Sequence, residues 1–306
     1  MKKILTGIVL TVIFLMAAVY LFIPGNIKME EKIIIGAALT AVSRELATDS
    51  NWSKWWPGEN VFTYKEEQYR PRGNAFNVFE MDIYSKTDTT KSRVELVFLN
   101  NDSIMILWNA EKVTTNDPIK RFSTYRSTRH TQENIKAILA ALKSFMERTE
   151  NIYGFPIQKT KVMDSVLIST RRSFDHKPGV KDIDIMIQSL KNYIARNNAV
   201  EKNLPMLNVT MIDSNYYEVM TAIPVDKALP ATNEFAPKFL LKGGNILEGT
   251  VNGGPFTIEK ALIEFEKYRS DHRHTSPAIP YQLLITDRVK ESDTTKWVTK
   301  LYYPVL

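Results

Sequence analysis

Glu218 is the carboxylate whose neighbours best suit it to chemistry in this sequence. It stands beside Tyr217 in an apolar run, Tyr216 to Val225, that reads as a half-buried strand. A carboxylate desolvated among aromatic rings has a raised pKa and can act as a base or hold a cation. Strand alternation equally allows Glu218 to point into solvent. Tyr217, Phe256, Tyr281 and Trp297 are aromatics able to stack on a flat ligand or to fill a core. Asp271-His272-Arg273-His274 sets two imidazoles at i and i+2 beside an acid, and His130 and His176 stand far from them in sequence. The chain has no cysteine, so thiol catalysis, disulfides and Cys-based zinc sites are excluded, and no metal is expected at that isolated pair. No Ser-His-Asp order, phosphate loop or dinucleotide fingerprint occurs. Gly243-Gly244 and Gly253-Gly254 lack the required spacing and read as turns. No catalytic residue and no cofactor is assigned.

These residues need elements to position them. After residue 28 the pattern is a β-rich run at Glu31–Ile35, a helix at Ala37–Ala47, and strand-like runs at Val61–Tyr69, Phe76–Tyr84, Arg93–Leu99, Ile104–Trp108 and Arg121–Tyr125. Asn100-Asn101-Asp102 is a turn signal between two of them. Ile135, Ile138, Leu139, Leu142, Phe145 and Met146 form a helical stripe within Thr131–Arg148, suited to lying across a curved sheet. Arg121, Arg126 and Arg129 before it read as a solvated face. Trp52, Trp55 and Trp56 fall in a loop and have three functional readings, a plug at one end of the first domain's cavity, contact with a membrane interface, or contact with a partner, beside plain core packing.

Beyond Tyr153-Gly154-Phe155-Pro156 the chain repeats. Gln158–Arg171, a helix carrying Ile183, Met186, Ile187, Leu190 and Ile194, then Pro205–Asp213 and Tyr216–Val225 make one strand-helix-strand-strand unit. Lys238–Val251, a helix carrying Ile258, Ala261, Leu262, Phe265 and Tyr268, then Pro280–Asp287 and Lys296–Val305 make the second. The units end on Pro224-Val225 and Pro304-Val305, 80 residues apart. A cleft between two such halves is a common place for a ligand.

Composition limits the function class. Of 306 residues 44% are hydrophobic and 24% charged, ordinary globular values, and the length suits two domains. Forty basic against 34 acidic residues give a net charge of +6 without a basic block, and no DNA-reading helix pair or RNA signature is present, so no nucleic-acid partner is expected. Met1-Lys2-Lys3 precedes Ile4–Ile23, a run of twenty uncharged residues that as a helix rises about 30 Å. It is longer than a signal-peptide core and lacks a small-x-small cleavage site, so an uncleaved single-pass anchor is expected. Lys2 and Lys3 favour an inside N-terminus and hence extracytoplasmic domains, although Lys28 and Lys32 flank the other end.

Residues 28–152 resemble the SRPBCC or START-like (polyketide cyclase) family, through Ile33-Ile34-Ile35 and Asn51-Trp52-Ser53-Lys54-Trp55-Trp56-Pro57. Residues 157–306 resemble GyrI-like effector-binding domains, through Glu248-Gly249, Gly253-Gly254-Pro255-Phe256, Pro280-Tyr281-Gln282 and the two Pro-Val endings. The resemblance implies an α+β protein: a transmembrane anchor over 1–27, a helix-grip domain, and a duplicated strand-helix-strand-strand domain. Both families imply a cavity, and the second implies a central acid two residues after the proline that opens the penultimate strand. Gln282 occupies that position here, and an amide neither exchanges a proton nor offers full charge to a cation. The expected function is therefore a membrane-tethered, non-catalytic sensor or carrier of a small apolar or aromatic ligand. Tyr217, Glu218, Phe256, Tyr281, Gln282 and Trp297 are its candidate contacts. The alternative is a hydrolase or cyclase acting in one of the two cavities.

Overall fold

Apolar sequence, charge-free from Ile4 onward, forms most of helix α1 (Lys2–Phe22), whose Ile4–Phe22 stretch has a mean hydropathy of 2.6 and is 0% buried. By length and composition it fits a membrane span or a signal sequence. The computed structural model describes residues 2–86 and 88–306, which form two compact units, Met1–Arg148 and Thr149–Leu306.

In the first unit, β1 (Asn26–Ile35) is followed by α2 (Leu39–Ala47) and α3 (Asp49–Trp52). Next come β2 (Thr63–Tyr64), β3 (Glu67–Ala75), β4 (Val78–Tyr84), β5 (Thr89–Asn100) and β6 (Ser103–Val113). They make one antiparallel sheet in the order β1-β6-β5-β4-β3-β2. Alternation sets its two faces: in β6, Ile104, Ile106, Trp108 and Ala110 are buried and the residues between them are not. The Asn100–Asp102 turn closes the β5–β6 hairpin, with the Asp102 N–H donating to Asn100 Oδ1 at 2.9 Å. Helix α4 (Pro118–Met146) buries Ile135, Ile138, Leu139, Leu142 and Met146. Gln132 on α4 donates to Glu31 of β1, and Thr131 and Asn134 donate to Glu67 of β3. The α+β class and the long helix across an antiparallel sheet hold.

Three expectations in this unit are corrected. Arg121–Tyr125 is helix, because Asp117 caps α4 well before Thr131. Its Oδ1 accepts from the N–H groups of Ile119 and Lys120 at 2.9 and 3.0 Å, and Pro118 fits the first helical position. Val61–Tyr69 is not one strand: Lys65, at φ 52°, turns the chain between β2 and β3. Arg121, expected to face solvent, donates through Nε and Nη2 to the carbonyl of Ile23 at 2.9 and 2.5 Å and lies over the Tyr20 ring. It thereby satisfies an orphan carbonyl at the end of α1.

The second unit opens with α5 (Thr149–Tyr153), β7 (Ile157–Lys161), β8 (Val166–Phe174), α6 (Val180–Arg196), β9 (Met206–Asp213) and β10 (Tyr216–Pro224). It continues with β11 (Phe235–Phe239), β12 (Asn245–Asn252), α7 (Pro255–Asp271), β13 (Tyr281–Leu284), a 3-10 turn at Thr294–Lys296 and β14 (Val298–Pro304). The eight strands form one sheet in the order β11-β8-β10-β9-β13-β14-β12-β7. That order is a palindrome of the repeat: β8, β10 and β9 mirror β12, β14 and β13, and β9 meets β13 at the centre. Gln158–Arg171 and Lys238–Val251 were each expected as one strand, and each is two. The leading strand of each crosses to the other half, β7 onto β12 and β11 onto β8. The Pro-Val endings are structural equivalents, with the N–H of Val225 bonded to the Val166 carbonyl and that of Val305 to the Asn245 carbonyl. The apolar stripes of α6 and α7 cover one face of this sheet in two separate cores.

Candidate functional site

Because α6 and α7 build separate cores, a gap is left on the helix-bearing face where the two halves of the sheet join. It is a cleft of about 550 Å³, with Val180 and Pro255 in the first turns of the two helices at its sides. Leu207, Val209, Ile258 and Leu262 give it apolar walls, Tyr217 and Trp297 line it, and Gln282 lies at the central β13. A smaller pocket of about 150 Å³ adjoins it and shares Val180, Ile183 and Arg288.

Trp297 is held in place. Its indole N–H donates to the Glu291 carbonyl at 2.9 Å, and its own carbonyl accepts from the Gly253 N–H at 2.8 Å. Gly253 has φ 136°, a region that side chains rarely adopt, and a Cβ there would lie 2.8 Å from the Thr257 hydroxyl. The Gly253-Gly254 turn thus ends β12, starts α7 and fixes one wall of the cleft.

Arg288 closes the floor. Its guanidinium lies 4.8 Å from the centre of the Trp297 ring, and Nη2 donates to Gln282 Oε1 at 3.2 Å and to the Thr299 hydroxyl at 3.0 Å. Both acceptors are neutral. Burial pulls this guanidinium down to about 10, which leaves it charged at neutral pH. Sequence reasoning missed Arg288, which sits in the mostly polar stretch Thr286 to Glu291 and belongs to no apolar period.

Five of the six candidate residues divide between the two faces of the sheet, and the sixth lies on neither. Tyr217, Gln282 and Trp297 line the cleft. Glu218, next along β10, points to the opposite face, where it pairs with Arg171 at 3.2 Å. Tyr281 also lies on that opposite face, stacked on Tyr302 at 5.2 Å within a small cluster containing Met206 and Leu283. Phe256, in the first turn of α7, is 81% exposed and lies outside the cleft. The period of two along β10 and β13 requires this split, since neighbours in a strand cannot share a face. At the end of α7, His272 stacks on Tyr268 at 4.1 Å and Tyr153 donates to Asp271.

The first unit has an aromatic core. Trp52, Trp55 and Trp56 are buried and pack together with Phe62, and the rings continue through Tyr69 to Trp108 at centroid distances of 5.5 and 6.0 Å. Plain core packing is what their burial shows. Glu67, 3% exposed, accepts from the Tyr69 hydroxyl at 2.7 Å, from Asn134 Nδ2 at 2.9 Å and from the Thr131 hydroxyl. These donors satisfy a buried carboxylate and tie β3 to α4.

No family model and no curated protein matches the chain. Among solved structures, it resembles the EcmrR–DNA complex in EcmrR-RPo, with 12% identity, 61% of this chain and 69% of that chain covered, and a TM-score of 0.44. SAV2435 bound to tetraphenylphosphonium matches 49% of this chain and 93% of its own at 10% identity, with a TM-score of 0.32. The di-domain ARO/CYC BexL from the BE-7585A biosynthetic pathway matches 92% of this chain and 85% of its own at 10% identity, with a TM-score of 0.34. With identities this low and TM-scores below 0.5, none of them assigns a function to this chain.

Proposed function

We propose that this chain is a membrane-anchored binding protein for a small apolar or aromatic molecule, taken up by the cleft between α6 and α7. The observation that carries this reading is the cleft itself: about 550 Å³ of space with apolar walls and two aromatic rings, Tyr217 and Trp297, beside a few convergent polar groups. Binding is favoured over turnover. Gln282 at the centre does not exchange protons, and Glu218, the carboxylate that a base-catalysed reaction would have used, faces the other way. The packed aromatic interior of the first unit makes that unit a scaffold in this reading, and α1 holds the whole at a membrane. No nucleic-acid partner is part of the proposal.

The test is native mass spectrometry of the full chain released from neutral detergent, compared with Leu262→Trp, which puts an indole into the cleft. The expected result is a co-purified small molecule on the native chain and none on the variant. A molecule retained equally by both, with the variant folded by circular dichroism, puts the site elsewhere.

A further inference from the structure

Arg288 is an unusual floor for an apolar cleft. A guanidinium carries five N–H donors, and the two on Nη2 are committed to Gln282 and Thr299. Among the described residues, Nε and Nη1 have no hydrogen-bond acceptor, and no carboxylate pairs with Arg288. The acids nearest in sequence are otherwise engaged. Asp287 accepts from the N–H of Val289 and pairs with Lys290 at 3.2 Å, and Glu291 accepts from the Asp293 N–H. Glu259, which also lines the cleft, pairs with Lys177 at 3.0 Å. A partly desolvated charge held only by neutral groups is costly, and removing it from water is repaid when an opposite charge arrives.

We propose that the cleft takes a ligand with a flat apolar body and a single carboxylate or comparable oxyanion, and that Arg288 receives the anionic end through its free Nε and Nη1 donors. The proposal rests on the binding reading above and adds the charge of the ligand to it. The centre of the anchored Trp297 ring lies 4.8 Å from the guanidinium carbon, and the Nε–Nη1 edge left without an acceptor is the one that can make a forked contact with two oxygens. Gln282 contributes by holding Nη2 through its carbonyl oxygen. A carboxylate at that position would neutralise the arginine and close the site to anions. The amide at 282 and the free arginine therefore belong together, and they select against the cation that an acid at this position would attract.

Three probes of one shape separate the outcomes: 2-naphthoate, 2-naphthamide and 2-naphthylmethylammonium. Each is titrated into the full chain in neutral detergent and followed by calorimetry, with Trp297→Phe included to show that the heat comes from this cleft. The naphthoate is expected to bind at least about tenfold more tightly than the amide, and the ammonium more weakly than both. Arg288→Gln should bring the naphthoate down to the affinity of the amide, and Arg288→Lys should restore only part of the difference because a lysine lacks the fork. Equal affinities for all three, or a preference for the ammonium, would overturn the anion assignment while leaving the cleft a binding site. Absence of binding by every probe would sink both readings. If Arg288→Gln does not fold, the comparison of the three probes on the unaltered chain decides by itself.

Discussion

Glu67 shows how a buried carboxylate can be structural. Three donors converge on it, from Tyr69, Thr131 and Asn134, and two of these reside on α4. Glu67→Ala should lower the stability of the first unit by about 3 kcal/mol, because buried donors then lose their acceptor. Chemical denaturation followed by tryptophan fluorescence measures this directly, since Trp56 and Trp108 flank Tyr69. An effect below 1 kcal/mol would mean that water replaces the carboxylate. Arg288 is the contrasting case: its charge is half-buried against neutral partners, and its open donors are those given to a ligand in the proposal above. Neither role was legible in the sequence. Glu67 and Asn134 are separated by 67 positions, and nothing local marks them as partners.

Elements depend on a few terminal residues. Asp117 determines that α4 begins at Pro118, and its carboxyl is held below the usual range, chiefly by the backbone N–H of Lys120, with Ile119 adding to it. A lowered carboxyl contributes stability that is complete above its unfolded value of 3.8 and is lost as pH falls through the folded value. Amide exchange over residues 119–125 should therefore speed up in Asp117→Ala at neutral pH. In the native chain the protection of these amides relative to their intrinsic exchange rate should fall below about pH 3.8, before that of the rest of α4. Unchanged protection in the variant would show that packing, not the cap, starts the helix. Gly253 is the second such point. Gly253→Ala forces a side chain into φ 136° against Thr257 and should cost about 2 kcal/mol in thermal unfolding. Because Gly253 also holds the Trp297 carbonyl, the variant should bind 2-naphthoate more weakly.

At the scale of the molecule, the expectation concerns α1. The full chain should stay in the membrane pellet after an alkaline carbonate wash, and a chain lacking residues 2–22 should move to the supernatant. An intact mass corresponding to loss of the first twenty-odd residues would identify a cleaved signal sequence instead. An α1 that spans a membrane, on the same chain as an apolar cleft, suits a ligand that partitions into a bilayer. The anionic end assigned to Arg288 suits an amphipathic one, polar at one tip and apolar along its body.

The sequence by itself determined whatever depends on spacing along the chain. The apolar run of α1, the alternation in β6, the stripe of α4, the turn at Asn100–Asp102 and the repeat of the second unit are all local periods. Tertiary structure alone decided what depends on pairing between distant segments. The exchange of β7 and β11 between halves was one such decision, as was the sheet face shown by Tyr217 rather than Glu218. The convergence of Gln282, Arg288, Trp297 and Thr299 was another. The physical reason is the same in each case. A period states which residues share a face, but the charge and solvation of a site are set by the neighbours that the fold brings to that face.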